Sequence, residues 1–310
     1  MNKTIKKAVS NSLDNILGIP FYVLNDGFIR IIDYMGDDES IVQAARVSYG
    51  MGTKKLSEDK GLIRYLMKHK HTTPFEMCEI KFHLRVPMDC WRQWIRHRTA
   101  NINEYSTRYS LAIESTQSTK PQEWRLQSIN NKQGSSGFLD DVRGQKLTAK
   151  EHDFHNYARE LYNEKISLGV ARELARKDLP LCTYTEAYWK IDLHNLLHFL
   201  ELRMDEKAQY EIREYARIIG NEIVSKWCPI TWEAFLDYRV NSITYSKIEL
   251  QLLKLLIKKN YSEAILLAEK QNWIKNNENQ IVLNNNRERI EFEKKLIDLD
   301  LTAPWKKKHI

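Results

Sequence analysis

Between Arg96 and Ser110 the sequence reads RHRTANINEYSTRYS, with three arginines, a histidine, a glutamate, two tyrosines and two serines and hardly an aliphatic side chain. A core does not tolerate such groups unpaired, and a solvated loop has no need of them. An anionic partner accounts for the density. Guanidinium forks hold phosphate or imide-like oxygens, and serine hydroxyls with nearby backbone amides complete an anion cradle. Glu104 then needs a donor partner or a substrate hydroxyl. The alternative is a surface ion-pair network among the arginines and glutamates.

Three other segments repeat this polarity. HTTPFE sets His71, Thr73 and Glu76 ahead of an alternating stretch, ARELAR sets Glu173 and Arg176 one turn apart, and DLHNLLHFLELR sets Asp192, His194, His198 and Arg203 around a leucine stripe. Each has a structural alternative: a helix-end cation for His71, a local pair for Glu173 and Arg176, solvent-facing histidines for the third. HNLLH also has the four-residue spacing of two zinc ligands, with Glu201 on roughly the same side. Position 195 is Asn, however, so the water-activating glutamate of such sites is missing, and no metal is expected. Arginines and aromatics together also suit RNA, but no RNA-binding sheet signature, zinc finger or helix-turn-helix is evident.

The chain has 310 residues, 42% hydrophobic and 29% charged, with a formal net charge of +7. That composition is globular, and the length permits one large domain or two smaller ones. The positive charge suits nucleic acid and suits equally an enzyme with phosphorylated or carboxylated substrates. No apolar stretch approaches a bilayer span. The first residues lack a sustained apolar segment with a cleavage site, so a cytoplasmic location is expected. Cys78, Cys90, Cys182 and Cys228 form no C-x-x-C pair, which argues against a zinc ribbon or dithiol centre.

The elements that must position these groups follow from periodicity. FIRIIDYM (28–35) predicts a strand ending at Gly36-Asp37-Asp38, and Ser40 opens a helix closed by Gly50. Leu62, Ile63 and Leu66 predict a helix over 57–70, with Ser57 or Asp59 as its cap. From Cys78 to Val86 apolar and polar residues alternate strictly, a strand with one covered face. Helical character resumes at Met88, with Arg92 and Arg96 on one side. Residues 113–150 are rich in Ser, Gln, Asn and Gly and predict an exposed excursion. A helix over 149–167, a helical ARELARKD and a strand CTYTEAYWKI follow. Asp192 is a good cap for a helix burying Leu193, Leu196, Leu197, Leu200 and Met204, and a further helix turns Ile212, Tyr215, Ala216, Ile219 and Ile223 inward. Beyond residue 239 the character changes to a helical pair and then a charged, Asn-heavy segment, so residues 1–239 predict the main domain and 240–310 a helical, charged extension. The fold class expected is α+β.

The motif R-H-R-x-x-S-x-N-E-x-S-x-R-Y-S, here Arg96 to Ser110 with Asn101 replacing the usual Ser, resembles the signature of the flavin-dependent thymidylate synthases, the ThyX family. HTTPFE, ARELARKDLPL and WKIDLHNLLHFLELRMDEKAQYEIREYA fall in the order of that family, and the resemblance spans about residues 25–240. It implies a mixed α/β subunit with long helices in a homotetramer whose active sites are shared between subunits. It also implies reductive methylation of dUMP to dTMP, with methylenetetrahydrofolate as carbon donor and NADPH as reductant through FAD.

By matching position, Gln93, Trp94, Ile95, Arg96, Glu104, Tyr105, Ser106, Thr107, Arg108, Arg176 and Arg203 are the implied dUMP contacts, and Arg203 the catalytic residue. Ser48, His71, Thr73, Arg96, His97, Arg98, Glu104, Asp192, Leu193, His194 and His198 are the implied FAD contacts. Ser106 has no general base beside it in the motif and reads as a binding group. Cys228, at a helix end before Pro229, reads as packing. Met77 and Lys207 stand where relatives often carry His.

Overall fold

The computed structural model describes residues 7–47, 56–128, 134–277 and 280–306. A short helix α1 (Asn11–Asp14) precedes an antiparallel pair, β1 (Phe21–Val23) and β2 (Gly27–Met35). Helix α2 (Asp38–Val47) starts two residues before Ser40, because Asp37 is the residue that caps it: its carboxylate accepts from the Ser40 amide and hydroxyl, both at 2.9 Å. Asp38 is buried and accepts from the backbone amides of Ile230 and Thr231. Gly50 lies outside the described residues. Helix α3 (Leu56–Lys68) buries Ile63 and Leu66 as expected. It begins at Leu56, so neither Ser57 nor Asp59 is its cap; Asp59 instead pairs with Arg46 at 2.6 Å.

One turn, α4 (Thr73–Glu76), leads into β3 (Glu79–Pro87), where Ile80, Phe82, Leu84 and Val86 are buried in strict alternation. Helix α5 (Met88–Trp94) ends sooner than the sequence suggested, so Arg92 and Arg96 do not share a helix face. The chain then forms β4 (Asn101–Glu104), a strand that periodicity did not reveal. The expected excursion contains a small hairpin, β5 (Arg125–Gln127) and β6 (Ser135–Phe138), and closes earlier than Lys150. Helix α6 (Asp141–Ser167) begins where the Asp140 carboxylate accepts from the Arg143 amide at 3.0 Å.

A single turn α7 (Arg172–Ala175) is followed by β7 (Tyr184–Asp192) and α8 (Leu193–Arg203). Asp192 caps α8 as expected, accepting from the Asn195 amide at 2.9 Å. Helix α9 (Tyr210–Ile218) runs on through π-helical turns into α10 (Ser225–Trp227), and Ile212, Tyr215, Ala216, Ile219 and Ile223 are all fully buried. Pro229 opens α11 (Pro229–Phe235). Pro suits a first helical position because its missing amide has no partner there.

The main sheet has the order β1-β2-β3-β7-β4 and is antiparallel throughout, so the α+β expectation holds. Its apolar face carries Ile29, Phe82, Leu84, Trp189 and Ile191. Trp94 is the keystone of that core: it stacks on Phe199 (centroids 4.8 Å apart) and meets Trp189 and Tyr215 edge-on, joining α5, β7, α8 and α9.

Met1–Val240 forms one compact unit and Asn241–Ile310 another. The second contains α12 (Lys247–Ile257), α13 (Tyr261–Lys270), the hairpin β8 (Ile274–Asn277) and β9 (Gln280–Leu283), and α14 (Arg287–Ile297). It has its own core of Leu252, Trp273, Phe292, Leu296 and Trp305. The Glu293 carboxylate, among the buried groups there, is held by Arg289, by the Trp305 indole at 2.8 Å and by Lys306 at 2.8 Å.

Truncating a fully buried aromatic of this kind removes its transfer energy and leaves a cavity. Trp94→Ala is expected to lower unfolding stability by about 3–5 kcal/mol, read as a shift in the urea midpoint at unchanged slope.

Candidate active site

The polar motif is assembled on the outer edge of the sheet. β4 pairs with β7, setting Glu104 opposite Ala187, and the Tyr105 amide extends the ladder by donating to the Glu186 carbonyl at 2.8 Å. All four residues of β4 are exposed. The Glu104 carboxylate accepts from the buried Thr185 hydroxyl at 2.9 Å, which fixes its direction. Beyond it, the Tyr109 and Ser110 amides both return to the Ser106 carbonyl, folding residues 106–110 into a turn. No general base touches the Ser106 hydroxyl among the described residues; it accepts from the Arg108 amide at 3.4 Å.

That turn is docked from α7 and the 3₁₀ turn after it. The Arg176 guanidinium donates to the Thr107 hydroxyl at 2.7 Å, Arg172 donates to the Tyr109 carbonyl at 2.9 Å, and Arg108 pairs with Glu173 at 2.9 Å. Glu173 and Arg176 are therefore not a local pair; each reaches across to the motif. Arg172 was not singled out from the sequence, although it lies in the same ARELAR run.

Arg203, at the last turn of α8, meets the motif from the other side. Its Nε donates to His97 Nε2 at 3.1 Å, so the His97 hydrogen resides on Nδ1. Burial pushes the His97 pKa down to about 4, helped by the positive charge of Arg203 and by the neighbouring His198 ring, beside which a second proton is disfavoured. Burial likewise lowers the pKa of Arg203, which stays a cation. Among the described residues no carboxylate pairs with it. Gln93 is held by Gln209, whose amide also reaches Asp89 at 3.5 Å; Gln209 went unnoticed in the sequence because a lone Gln before a helix carries no pattern.

A cleft of about 60 Å³ adjoins this pair, between α3, α4 and α8, lined by His71, His194, His198, Phe75, Phe235 and Arg239 among others. Glu201, considered above as a third metal ligand, is bound by Arg239 at 2.7 Å. Thr73 opens α4 beside it. The His97 and His198 rings, 6.0 Å apart, link the cleft to Arg203.

Some expected contacts do not form the site. Trp94 and Leu193 have no exposed surface, main chain included, so both belong to the core. Ile95 is partly buried against the same core. Ser48 lies outside the described residues. Arg96 and Arg98 are exposed, and among the described residues their guanidinium groups have no partner. The Tyr105 hydroxyl is turned to the Leu111 carbonyl at 2.8 Å. The Ser106–Arg108 turn and Arg203 share no hydrogen bond or ion pair among the described residues. Cys228 is fully buried, and burial raises its pKa, as packing requires.

A similar fold occurs in a UMP/dUMP methylase, PolB, from Streptomyces cacaoi, solved with 5-Br dUMP: TM-score 0.63 and 29% identity over 72% of this chain and all of that one. This is thus a fold that carries pyrimidine-nucleotide methylation. Residues 30–230 match the thymidylate synthase complementing protein family. A flavin-dependent thymidylate synthase of Wolbachia pipientis is 50% identical over 83% of this chain and 90% of its own length, and one of Rickettsia prowazekii is 51% identical over 83% and 92%. The chain belongs to the flavin-dependent thymidylate synthase family.

The folded chain holds the His97 pKa near 4, below the ordinary 6.5, so the unfolded chain takes up this proton first. The neutral ring's contribution is complete above pH 6.5 and is lost as pH falls toward 4. In that window, denaturant stability is expected to fall more steeply for the wild type than for His97→Gln, and the His97 ring NMR signals should stay untitrated above pH 5.

Proposed function

We propose that the residues described divide the labour of reductive methylation, the conversion of dUMP, methylenetetrahydrofolate and NADPH to dTMP, tetrahydrofolate and NADP⁺. The observation that carries this reading is Arg203, a half-buried cation whose partner is a neutral imidazole. A guanidinium beside the pyrimidine imide stabilises the negative charge that develops there, which makes the ring carbon that receives the methyl group more nucleophilic. A neutral His97 holds Arg203 in place without cancelling its charge. Ser106, Thr107 and Arg108, in a turn braced by Arg176, take the phosphate. The Arg108–Glu173 pair is more than half exposed on both sides, so little stability is lost when a phosphate takes the place of the carboxylate. Glu104 and Gln93 complete the nucleotide contacts.

The cleft suits FAD. Leu66, Met67, Phe75, Leu197 and Phe235 give it apolar walls, and His71, Thr72, His194 and His198 give it polar edges, the pattern that receives a planar heteroaromatic ring. Thr73, His97, Asp192, His194 and His198 would hold the cofactor, with Arg96, Arg98, Glu104 and Ser48. Bound FAD supplies the two-electron redox chemistry, while the protein supplies orientation and electrostatics. His71 stands where flavin and folate would meet. At about 60 Å³ the cleft is far below the ~300–1,000 Å³ of complete ligand pockets. A second copy completing it accounts for that deficit and for the free cations of Arg96 and Arg98 beside β4, and the assembly this reading favours is a homotetramer with shared sites. Among the described residues no helix is long and apolar enough to cross a membrane, in keeping with a cytoplasmic enzyme. Residues 1–239 carry the synthase and 240–310 are an extension to it.

The test is colour. The purified protein should show oxidised-flavin absorbance, bleached by NADPH under anaerobic conditions and more rapidly with dUMP present. Arg203→Ala should retain the absorbance and lose about 10²–10³-fold in kcat, and a chelator should leave turnover unchanged. A colourless protein, or an Arg203→Ala enzyme with normal turnover, would overturn the assignment.

A further inference from the structure

The loop that delivers His71 to the cleft is built on a helix end with an ill-suited residue. α3 closes with paired hydrogen bonds, from the His71 amide to the Leu66 carbonyl at 2.9 Å and from the Lys70 amide to the Met67 carbonyl at 3.3 Å. In this arrangement, the Schellman motif, the residue after the cap turns left-handed and is usually glycine. Here it is Lys70, at φ +59°. An L side chain is strained in that region, but Lys259, at φ +56°, closes α12 in the same way, so strain alone assigns Lys70 no role and a reason for its charge has to come from its surroundings.

Its location supplies one. Lys70 is exposed and lines the same cleft as His71, His198 and Arg239. The charge of Arg239 is met by Glu201 at 2.7 Å. Among the described residues nothing engages the Lys70 ammonium, which leaves an uncompensated positive charge at a cleft whose one acidic lining residue is already paired.

Building on the reading that this cleft receives FAD and that a co-substrate meets the flavin at His71, we propose that Lys70 binds the anionic end of the co-substrate entering beside His71. The chemistry it recognises is a carboxylate or phosphate group. Two sources offer it, the glutamate carboxylates of the folate and the 2′-phosphate of NADPH. The competing role is purely structural: a cation near the last carbonyls of α3 interacts favourably with the helix dipole. A dipole role bears on stability and leaves KM alone. A recognition role does the reverse.

The decisive variant is Lys70→Gly in the full-length flavin-loaded enzyme, because glycine relieves the left-handed strain while deleting the charge. The melting temperature should hold or rise, and KM for one co-substrate should rise about tenfold, the worth of one charge contact of about 1.4 kcal/mol. Lys70→Arg should restore it. A defect that grows from mono- to triglutamylated methylenetetrahydrofolate identifies carboxylate as the anion; one present with NADPH and absent with NADH identifies phosphate. If neither KM moves more than about twofold, or if arginine fails to restore it, the proposal is wrong. His71→Ala separates the levels: should it disturb co-substrate kinetics while Lys70→Gly does not, the role of Lys70 alone falls. Should neither variant disturb them, the reading of the cleft falls as well.

Discussion

The site depends on a guanidinium that is taken partly out of water and given no carboxylate. Burial lowers the pKa of Arg203, and its bonded neighbour His97 is itself kept neutral by burial and by the Arg203 charge beside it. In folded proteins a desolvated charge is ordinarily paired. Leaving one with a neutral acceptor keeps its field directed at whatever enters, in a medium where that field is screened less than in bulk water. Asp192 and the leucine stripe contribute indirectly: one starts α8 and the other seats it, so that Arg203 falls at the helix's end beside the motif.

β7 is the spine that converts this electrostatic arrangement into fixed geometry. Its apolar face holds Trp189 against Trp94, and its ladder to β4 sets the edge on which Glu104 sits. The opposite face is a polar network. Arg30 donates to His83 Nδ1 at 2.6 Å, His83 Nε2 meets the Glu186 carboxylate at 2.7 Å, and Arg85 binds both Glu186 and Asp26. Since the Glu186 backbone receives the Tyr105 amide, the residue that anchors the start of the 106–110 turn is clamped at its side chain too. The motif is a loop in sequence but is held like part of the sheet.

The sequence was readable where burial imposes a period. The alternation from Ile80 to Val86, the capped α8 and the inward face of α9 were all legible, because a strand covered on one face and a helix covered on one stripe leave period-two and period-3.6 signatures. β4 was hidden for the converse reason: Asn101 to Glu104 are all exposed, so the pairing rests on backbone hydrogen bonds that no side-chain pattern reports. The start of α6 was missed because its first turns are exposed and polar, and α11 because Cys228-Pro229 reads as a stop although Pro also starts helices. In the second unit the helical pair was evident, but the hairpin β8–β9 and α14 were obscured by asparagines and charges. Within the candidate site, a motif match names residues without regard to burial: Trp94 and Leu193 fall in its segments yet are fully buried in the core.

The density of cations between Arg96 and Ser110, and in ARELAR, resolves into two tasks that residue type alone does not distinguish. Arg172 and Arg176 are bonded to the turn they brace, each at 2.9 Å or less, and are thereby positioned before any ligand arrives. Arg108 is tied only through an exposed ion pair with Glu173, a contact of small worth that a phosphate competes with easily. Arg96 and Arg98 stand free on the surface among the described residues. A surface ion-pair network would have matched these cations with carboxylates, and that matching is missing where the chemistry needs the charge. What is paired is the scaffold of the turn, through Arg172 and Arg176; what has no carboxylate partner among the described residues is Arg203 at the end of α8, with Arg96 and Arg98 in the segment between α5 and β4. The same residue type thus braces the turn and leaves positive charge free beside it.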